Sequence, residues 1–323
     1  MLEWASLYGL GMARDTKEPP SDNASDPSAQ TKGIALALGG GVARGWAHIG
    51  VLRALDEAGI KIDMIAGTSI GALVGGCYLA GKLDALEEFA RGLTKRRIFG
   101  LLDFTFGGDG LLGGMKLTQR MREHIDGLRI EDLPKPYVAV ATEIRTGHEI
   151  WVSSGSLITA MRASYALPGV FEPVLCNGRM LVDGALVNPV PVSVCRAHEQ
   201  RLVVAVNLHY DLFGRAAVVK HSAGELTVEH DAPSPESGSS RAASSRHSRL
   251  GFTGVMIEAF NIIQDRIARA RLAGDPPDLS INPRLSHIGL TEFHRADETI
   301  RVGYEAAKAE IADLKHMQSI AVT

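Results

Sequence analysis

The sequence predicts an α/β fold of three layers, in which helices cover both faces of a mostly parallel central sheet. A continuous apolar run, Ile34–Leu38, is typical of a buried parallel strand, and a glycine loop and a helical pattern ending at Gly59 follow it. A second apolar run, Ile62–Ala66, leads through a glycine-flanked turn into small apolar residues. Two such strand–loop–helix units within about 50 residues start a doubly wound sheet, which binds ligands at the carboxyl ends of its strands.

The composition of the 323-residue chain is that of an ordinary globular protein, with 45% hydrophobic and 22% charged residues. The net charge of −3 argues against a nucleic-acid partner, because no basic face dominates. Three scattered cysteines, Cys77, Cys176 and Cys195, show no metal-ligand spacing, so we expect neither a disulfide framework nor a metal site. A reducing, cytoplasmic location without a cofactor fits this composition.

The turn after the second apolar run carries a candidate nucleophile. The segment Gly67-Thr68-Ser69-Ile70-Gly71 matches G-x-S-x-G, in which a serine on a sharp strand-to-helix turn exposes its hydroxyl at the N-terminus of a helix. Gly67 and Gly71 flank Ser69 because a Cβ has no room there. The pattern also arises by chance in a chain rich in glycine and serine, and the uncharged run 64–81 is also compatible with a short membrane helix.

The glycine loop after the first strand has backbone N–H groups that can bind negative charge. The phosphate-loop pattern has no match, and the dinucleotide pattern read from Gly39 needs a glycine where Arg44 stands. Two interpretations remain: an oxyanion hole made by the amides of Gly40, Gly41 and Val42, or a connector without a ligand. Arg44, at the mouth, would hold the loop or meet a head-group phosphate.

An aspartate ends a later strand. Asn177-Gly178 is a strong β-hairpin signal, and the second arm of this hairpin runs into Asp183-Gly184. The carboxyl group of Asp183 would be partly buried and directed into the same crevice as the serine. Asp109 and Asp126 also precede glycine, but neither ends an apolar strand. Taken alone, an Asp-Gly pair after a strand is usually only a turn.

Composition divides the chain into four parts. Residues 1–31 are expected to form a disordered or weakly amphipathic tail, and residues 32–210 the core of the domain. Residues 211–249 are rich in Ser, Arg and Pro without apolar periodicity, which predicts a disordered insertion. Residues 250–323 complete the same domain.

Periodicity and turn signals predict the remaining elements. The segment 99–114 is predicted to be a mobile apolar loop, either a lid or lipid-facing wall or an ordinary long loop. The helix at 252–272 is expected to turn Val255, Ile262, Ile263 and Ile267 inward. Further helices are predicted at 83–97, 116–125, 157–167, 192–198 and 296–317, and further strands at 137–143, 149–152, 171–175, 179–182, 202–208 and 278–281.

Four segments together resemble the patatin-like phospholipases, in particular the bacterial branch similar to neuropathy target esterase. They are GGGVARGWAHIGVLRAL, AGTSIGAL, ASYALPGVFEPV and LVDGALVNPVPV, all within residues 32–210. The resemblance implies a patatin-like fold and a serine hydrolase that cleaves acyl esters of phospholipids, lysophospholipids or related lipids, met peripherally at a membrane surface. It makes Ser69 the nucleophile and Asp183 its only catalytic partner. The oxyanion hole would be Gly40, Gly41 and Val42, supported by Arg44, Gly67, Gly71 and Gly184.

Val42 departs from the glycine fingerprint of the family. A valine there can offer its N–H while φ is negative, whereas a positive φ would distort the hole and weaken activity. The dyad also needs a dry crevice, because an aspartate is a poor base near neutral pH unless its pKa is raised.

Two other functions stay open. A Ser-His-Asp esterase or acyltransferase would need a histidine downstream of the serine, and a non-catalytic lipid-binding protein would keep only the fold. The candidate histidines are His198, His209, His287 and His294.

Overall fold

The apolar runs pair into one mostly parallel sheet, as the sequence predicts. The structure is a computed structural model that describes residues 33–94, 125–211 and 252–320. Its strands are β1 (Ile34–Leu38), β2 (Ile62–Thr68), β3 (Tyr137–Glu143), β4 (Glu149–Val152), β5 (Val174–Cys176), β6 (Arg179–Asp183), β7 (Val203–Val206) and β8 (Leu279–Ile281). They lie in the order β5-β6-β3-β2-β1-β7-β8, with β4 paired to β3. The pairings among β1, β2, β3, β7 and β8 are parallel, and those of β4, β5 and β6 are antiparallel.

Helices cover both faces of the sheet and give three layers. The described α-helices are α1 (Ala47–Glu57), α2 (Ile70–Leu79), α3 (Leu83–Arg91), α4 (Leu157–Tyr165), α5 (Val192–Ala197), α6 (Phe252–Gly274) and α7 (Ala296–Ile320). Alternation along β1 shows how the two faces differ. Ile34, Leu36 and Leu38 join the large apolar cluster with α1, α2, α3, α4 and α7, whereas Ala35 and Ala37 pack in a smaller cluster with α5 and Ala268 of α6.

The strand register sets the place of the site. β1 and β2 are parallel, and Leu38 pairs with Gly67, so the glycine loop and the serine turn begin at the same edge of the sheet. β2 pairs with the first part of β3, and β6 runs against its second part. Thr68 therefore lies opposite Val140, and Asp183 lies opposite the next residue of β3, Ala141. The ends of β2 and β6 meet at one point along β3.

Local signals place most element boundaries within a few residues. The predicted hairpin is present: Asn177 and Gly178 have φ of 47° and 77° between β5 and β6. β5 begins at Val174 rather than at Phe171, because the N–H of Phe171 is drawn back to the Leu167 carbonyl in a turn. α3 ends at Arg91 rather than at residue 97, and Gly92 caps it.

Other predictions fall partly or wholly outside the described residues. These are the tail 1–31, the end of the predicted helix at 95–97, the loop 99–114, most of the helix 116–125 and the insertion 211–249 beyond its first residue. The uncharged run 64–81 is not a single membrane helix, since it divides into β2, the serine turn and α2. Among the described helices, none has the length and apolar content needed to span a bilayer.

The orientation predicted for α6 is wrong. Val255, Ile262 and Ile263 are 51%, 47% and 44% exposed, and Ile267 is only half-buried. The buried positions of this helix are instead Phe260, Asn261, Gln264, Asp265 and Ala268. The physical reason is that the face carrying Phe260, Gln264 and Ala268 is the one that packs on the domain. Phe260 lies in a cluster with Leu167 and Ala185, Gln264 lies beside Gly40, and Ala268 lies in the cluster with α5.

Candidate active site

Ser69 lies on a strained turn between β2 and α2. Its φ of 57° and ψ of −124° are rarely adopted by a residue with a side chain, and such strain persists only where the surroundings hold it. The N–H of Ser69 donates to Ser164 Oγ at 2.9 Å, and Ser164 Oγ donates to the Val140 carbonyl at 2.6 Å. The Ser69 carbonyl accepts from Leu73 at 3.1 Å and so starts α2. The turn is therefore fixed from β3, α4 and α2.

Close backbone approach explains the glycines on either side of Ser69. A Cβ on Gly67 would lie 2.5 Å from Ala72 Cα, and one on Gly71 would lie 2.2 Å from the Leu38 carbonyl oxygen. Only glycine lets the first turn of α2 approach the end of β1 so closely.

Asp183 lies next to the serine at the end of β6. Ser69 Oγ donates to Asp183 Oδ2 at 2.6 Å, and the N–H of Ala185 donates to Asp183 Oδ1 at 2.8 Å. The backbone of Asp183 is held as well, since its N–H donates to Ala166 and its carbonyl accepts from Thr142 Oγ1. Both carboxylate oxygens are thus occupied and their positions are defined.

The surroundings of Asp183 favour a carboxyl group that titrates near neutrality. The side chain is 1% exposed, and this burial raises its pKa to about 7, against the lowering effect of hydrogen bonds from Ser69 and Ala185. Gly184 contributes to this closure, because a Cβ there would lie 2.2 Å from the Val140 carbonyl oxygen.

The glycine loop borders the serine, but its amides are not all free. The N–H of Gly40 donates to the Pro189 carbonyl at 2.9 Å, so it is not available to an oxyanion. The N–H groups of Gly41 and Val42 find no hydrogen-bond partner among the described residues. A Cβ on Gly40 would lie 3.6 Å from Ser69 Cβ, which shows how closely the loop approaches the nucleophile candidate. Of the three amides that the sequence analysis proposed for an oxyanion hole, only those of Gly41 and Val42 are therefore available.

Val42 has a positive φ, which is one of the two cases considered in the sequence analysis. Its φ is 52°, in the left-handed region that a β-branched residue rarely enters. The N–H still lacks a partner in this conformation, so the valine brings backbone strain to the loop and leaves the amide available.

Two buried side chains hold the loop from behind. Arg44 Nε donates to the Ile288 carbonyl at 2.8 Å, so the arginine anchors the loop instead of projecting from its mouth. His48 Nε2 lies 2.7 Å from the Gly39 carbonyl oxygen, and burial lowers the pKa of His48 to about 4. The imidazole is therefore neutral and carries its proton on Nε2, towards that carbonyl.

Comparison with known proteins agrees with these motifs. The model of the patatin-like phospholipase family matches residues 36–196. An NTE family protein of Mycobacterium tuberculosis is 35% identical over 319 residues, covering 84% of this chain and 89% of the relative. The chain belongs to the patatin-like phospholipase family. Human patatin-like phospholipase domain-containing protein 6 is 35% identical over 183 residues, which are 54% of this chain and 13% of that protein. The solved structure of VipD from Legionella pneumophila covers 87% of this chain and 67% of its own, at a TM-score of 0.45 and 13% identity, a likeness too weak to bear on the site.

Membership of the patatin-like family establishes the fold class and supports lipid ester hydrolysis in general terms. Within this patatin-like site, no described histidine forms a hydrogen bond with Ser69 or Asp183. His198 contacts the Val194 carbonyl, and His287 contacts Glu298. His209 is buried, and neither of its ring nitrogens has a hydrogen-bond partner among the described residues. The geometry offers a direct serine–carboxyl pair and no intervening imidazole.

Three groups at this site were not predicted from the sequence. Ser164 lies in the segment ASYALPGVFEPV, but nothing in its spacing shows that its hydroxyl holds the Ser69 amide. The Ala185 amide is a backbone group with no signal in the residue type. Gln264 lies on α6 with its side-chain amide beside Gly40, whereas the sequence analysis predicted an apolar inner face for that helix.

Proposed function

We propose that this protein hydrolyses acyl ester bonds of phospholipids, lysophospholipids or related lipids, with Ser69 as nucleophile and Asp183 as general base. The observation that carries the proposal is the 2.6 Å hydrogen bond from Ser69 Oγ to a buried carboxyl group, close to two backbone amides that have no partner in the part of the chain that the structure describes. A nucleophile in hydrogen-bond contact with its base is the arrangement that covalent catalysis requires.

In the first half of the reaction, Ser69 Oγ attacks the ester carbonyl and its proton passes to Asp183 Oδ2. The oxygen of the tetrahedral intermediate accepts hydrogen bonds from the N–H groups of Gly41 and Val42. Collapse of the intermediate breaks the bond to the alcohol, which leaves with the proton from Asp183, and the acyl group remains on Ser69.

In the second half, water attacks the carbonyl carbon of the acyl-enzyme, and Asp183 accepts a proton from this water. The intermediate collapses to the free acid, and the proton returns from Asp183 to Ser69 Oγ. A base with a pKa near 7 suits both halves, since about half of it is ionised at neutral pH and it is still strong enough to accept a proton. The N–H of Ala185, which donates to Asp183 Oδ1, keeps the carboxyl group oriented throughout.

Contact with a lipid surface is part of the proposal. Val255, Met256, Ile262 and Ile263 expose apolar side chains on the outer face of α6, the helix whose inner face lies against the glycine loop. Exposed apolar side chains on a helix beside the crevice support peripheral contact with the membrane that holds the substrate.

Replacement of the two reacting groups tests the proposal. Purified wild type, Ser69→Ala and Asp183→Asn are assayed on phospholipids, lysophospholipids and a soluble short-chain ester, with Ser154→Ala and Asp126→Asn as controls. Ser154 is an exposed serine, and Asp126 is an exposed aspartate that also precedes glycine. We expect both site variants to lose at least about a thousandfold in kcat and both controls to retain the wild-type rate.

Covalent labelling gives an independent readout. A fluorophosphonate probe should label wild type and fail to label Ser69→Ala. If Asp183→Asn hydrolyses the esters at the wild-type rate, Asp183 is not the general base. If the wild type is neither labelled nor active, the protein is not a serine hydrolase, and the lipid-binding alternative is favoured.

A further inference from the structure

Helix α6 buries amide side chains in place of apolar ones. Asn261 and Gln264 are 4% and 2% exposed and lie one turn apart on the inner face, where side chains three residues apart are neighbours. Asn261 Oδ1 and Gln264 Oε1 have no hydrogen-bond partner among the described residues. A buried polar atom without a partner costs free energy, so native proteins keep one where a ligand or water completes it.

Gln264 lies at the crevice of the proposed site. The position that a Cβ on Gly40 would take is 3.0 Å from Gln264 Oε1, 3.5 Å from Ala185 Cβ and 3.6 Å from Ser69 Cβ. The side chains of Gln264, Ala185 and Ser69 therefore lie close together around the Cα of Gly40. Gln264 Oε1 is on the same side of Gly40 as the nucleophile candidate, and Ala185 is the residue whose N–H holds Asp183.

Two residues next to the glycine loop also have buried polar atoms without partners. Arg44 Nη1 and both ring nitrogens of His209 are buried and unpaired among the described residues. Arg44 follows the loop in sequence, and His209 follows Leu208, whose side chain lies against Gly41. Burial lowers the pKa of Arg44, and the charges of Asp211 and Glu258 oppose this effect. Gln264, Asn261, His209 and Arg44 are together called the polar wall.

The chemistry of the wall fits a neutral hydroxyl group. Burial, and then the charges of Arg44 and Arg269, lower the pKa of His209 to about 3, so its ring is neutral and offers one donor and one acceptor. Amide side chains also offer both. The negative charges of Asp211 and Glu258 already act on Arg44, so these side chains do not require an anionic ligand.

We propose that Gln264, with Asn261 beside it, hydrogen-bonds a free hydroxyl on the alcohol side of the substrate, so that the protein prefers acyl esters of polyols over esters of simple alcohols. This inference rests on the proposed function. The polar wall serves the alcohol side because an acyl chain has no group that could pair with an amide. A site built to pair with a hydroxyl discriminates against a substrate that lacks it, since its own polar groups are then left unpaired.

A matched pair of soluble esters tests the preference. Monobutyrylglycerol and propyl butyrate share the acyl group and a three-carbon alcohol, and only the first carries free hydroxyls. We expect wild type to favour the glycerol ester in kcat/KM, and Gln264→Met, which keeps the side-chain length, to lower that ratio about tenfold, the equivalent of one hydrogen bond. Propyl butyrate has no free hydroxyl, so Gln264→Met should lower kcat/KM for this ester less than for the glycerol ester.

Arg266→Met is the control, because Arg266 is exposed on the same helix, two residues beyond Gln264. It should keep the wild-type ratio of the two esters. Asn261→Leu, a second replacement of similar volume, should lower the ratio as Gln264→Met does.

Thermal unfolding distinguishes a side chain that binds substrate from one that is needed for folding. Replacing an unpaired buried amide with an apolar side chain of similar shape should raise the Tm of the free protein, while a side chain needed for folding would lower it. A wild type without preference, an equal loss on both esters in Gln264→Met, or a fall in its Tm each overturns the inference and leaves the proposed function standing. Rates on both esters that Ser69→Ala does not reduce overturn the proposed function itself.

Discussion

Ser69 Oγ donates a hydrogen bond directly to Oδ2 of Asp183. In a catalytic triad, by contrast, an imidazole lies between the serine and the acid. In a triad the histidine supplies a pKa near neutrality, and here burial gives that property to the aspartate. The other carboxyl oxygen, Oδ1, accepts a hydrogen bond from the N–H of Ala185. In the proposed reaction, Oδ2 is therefore the oxygen that accepts the proton of Ser69.

The rate of ester hydrolysis should rise with pH through about 7. The ionised form of Asp183 accepts the serine proton, and burial raises the pKa of this group from 3.8 to about 7. A profile of kcat/KM between pH 4.5 and 9 on a soluble ester should therefore show a single ionisation near 7 on its acidic limb. A plateau that already begins near pH 5 would mean that the carboxyl titrates as an exposed aspartate does.

Asp183→Asn should stabilise the protein at neutral pH. The folded state keeps a proton on Asp183 that the unfolded state loses above about pH 4, so wild-type stability falls as pH rises towards 7. Removal of the ionisable group cancels this loss, which is on the order of 4 kcal/mol for a shift from 3.8 to about 7. The measurement is the difference in unfolding free energy between variant and wild type, small at pH 4 and largest above pH 7.

The exposed Asp126 provides the comparison for that experiment. Asp126→Asn should give a difference that does not grow between pH 4 and 7. A difference for Asp183→Asn that shrinks with rising pH would contradict the raised pKa.

Gly40→Ala and Gly41→Ala should affect different properties. A methyl group on Gly40 enters the crevice between Ser69, Ala185 and the flexible end of Gln264, so we expect at least a tenfold loss of kcat/KM with little change in Tm. A methyl group on Gly41 would lie 2.7 Å from a carbon of buried Leu208, so this variant should lose ~1–3 kcal/mol of stability. Paired melting curves and ester assays check both, and equal losses of stability in the two variants would contradict the geometry.

Substitutions of Val42 should reverse the usual order of alanine and glycine. At a negative φ, alanine is the more stable of the two, whereas at the φ of 52° found here a Cβ costs ~1–2 kcal/mol. Val42→Gly should therefore unfold at a higher temperature than Val42→Ala. Both keep the N–H of residue 42, so kcat should stay within a few-fold of wild type in each; a large gain in kcat for the glycine variant alone would show that the valine distorts the oxyanion hole.

The parts of the site that sequence predicts are those with local signals. The strands, the serine turn and the Asn177-Gly178 hairpin depend on neighbouring residues and are present as expected. The partner of the Gly40 amide could not be predicted, because Pro189 lies far along the chain. α6 shows the other limit: periodicity identifies a helix, but apolar residues on one stripe do not reveal whether that stripe faces the core.

The register along β3 also has a consequence for variation in this chain. Val140 and Ala141 hold the ends of β2 and β6 side by side, although β3 itself contributes neither reacting group. Deleting or inserting one residue in this strand would shift one end against the other by about 3.3 Å and turn alternate side chains to the opposite face. The distance between the Ser69 hydroxyl and the Asp183 carboxyl thus depends on the length of β3. An insertion or deletion in this strand should abolish the proposed activity even though both residues remain in the sequence.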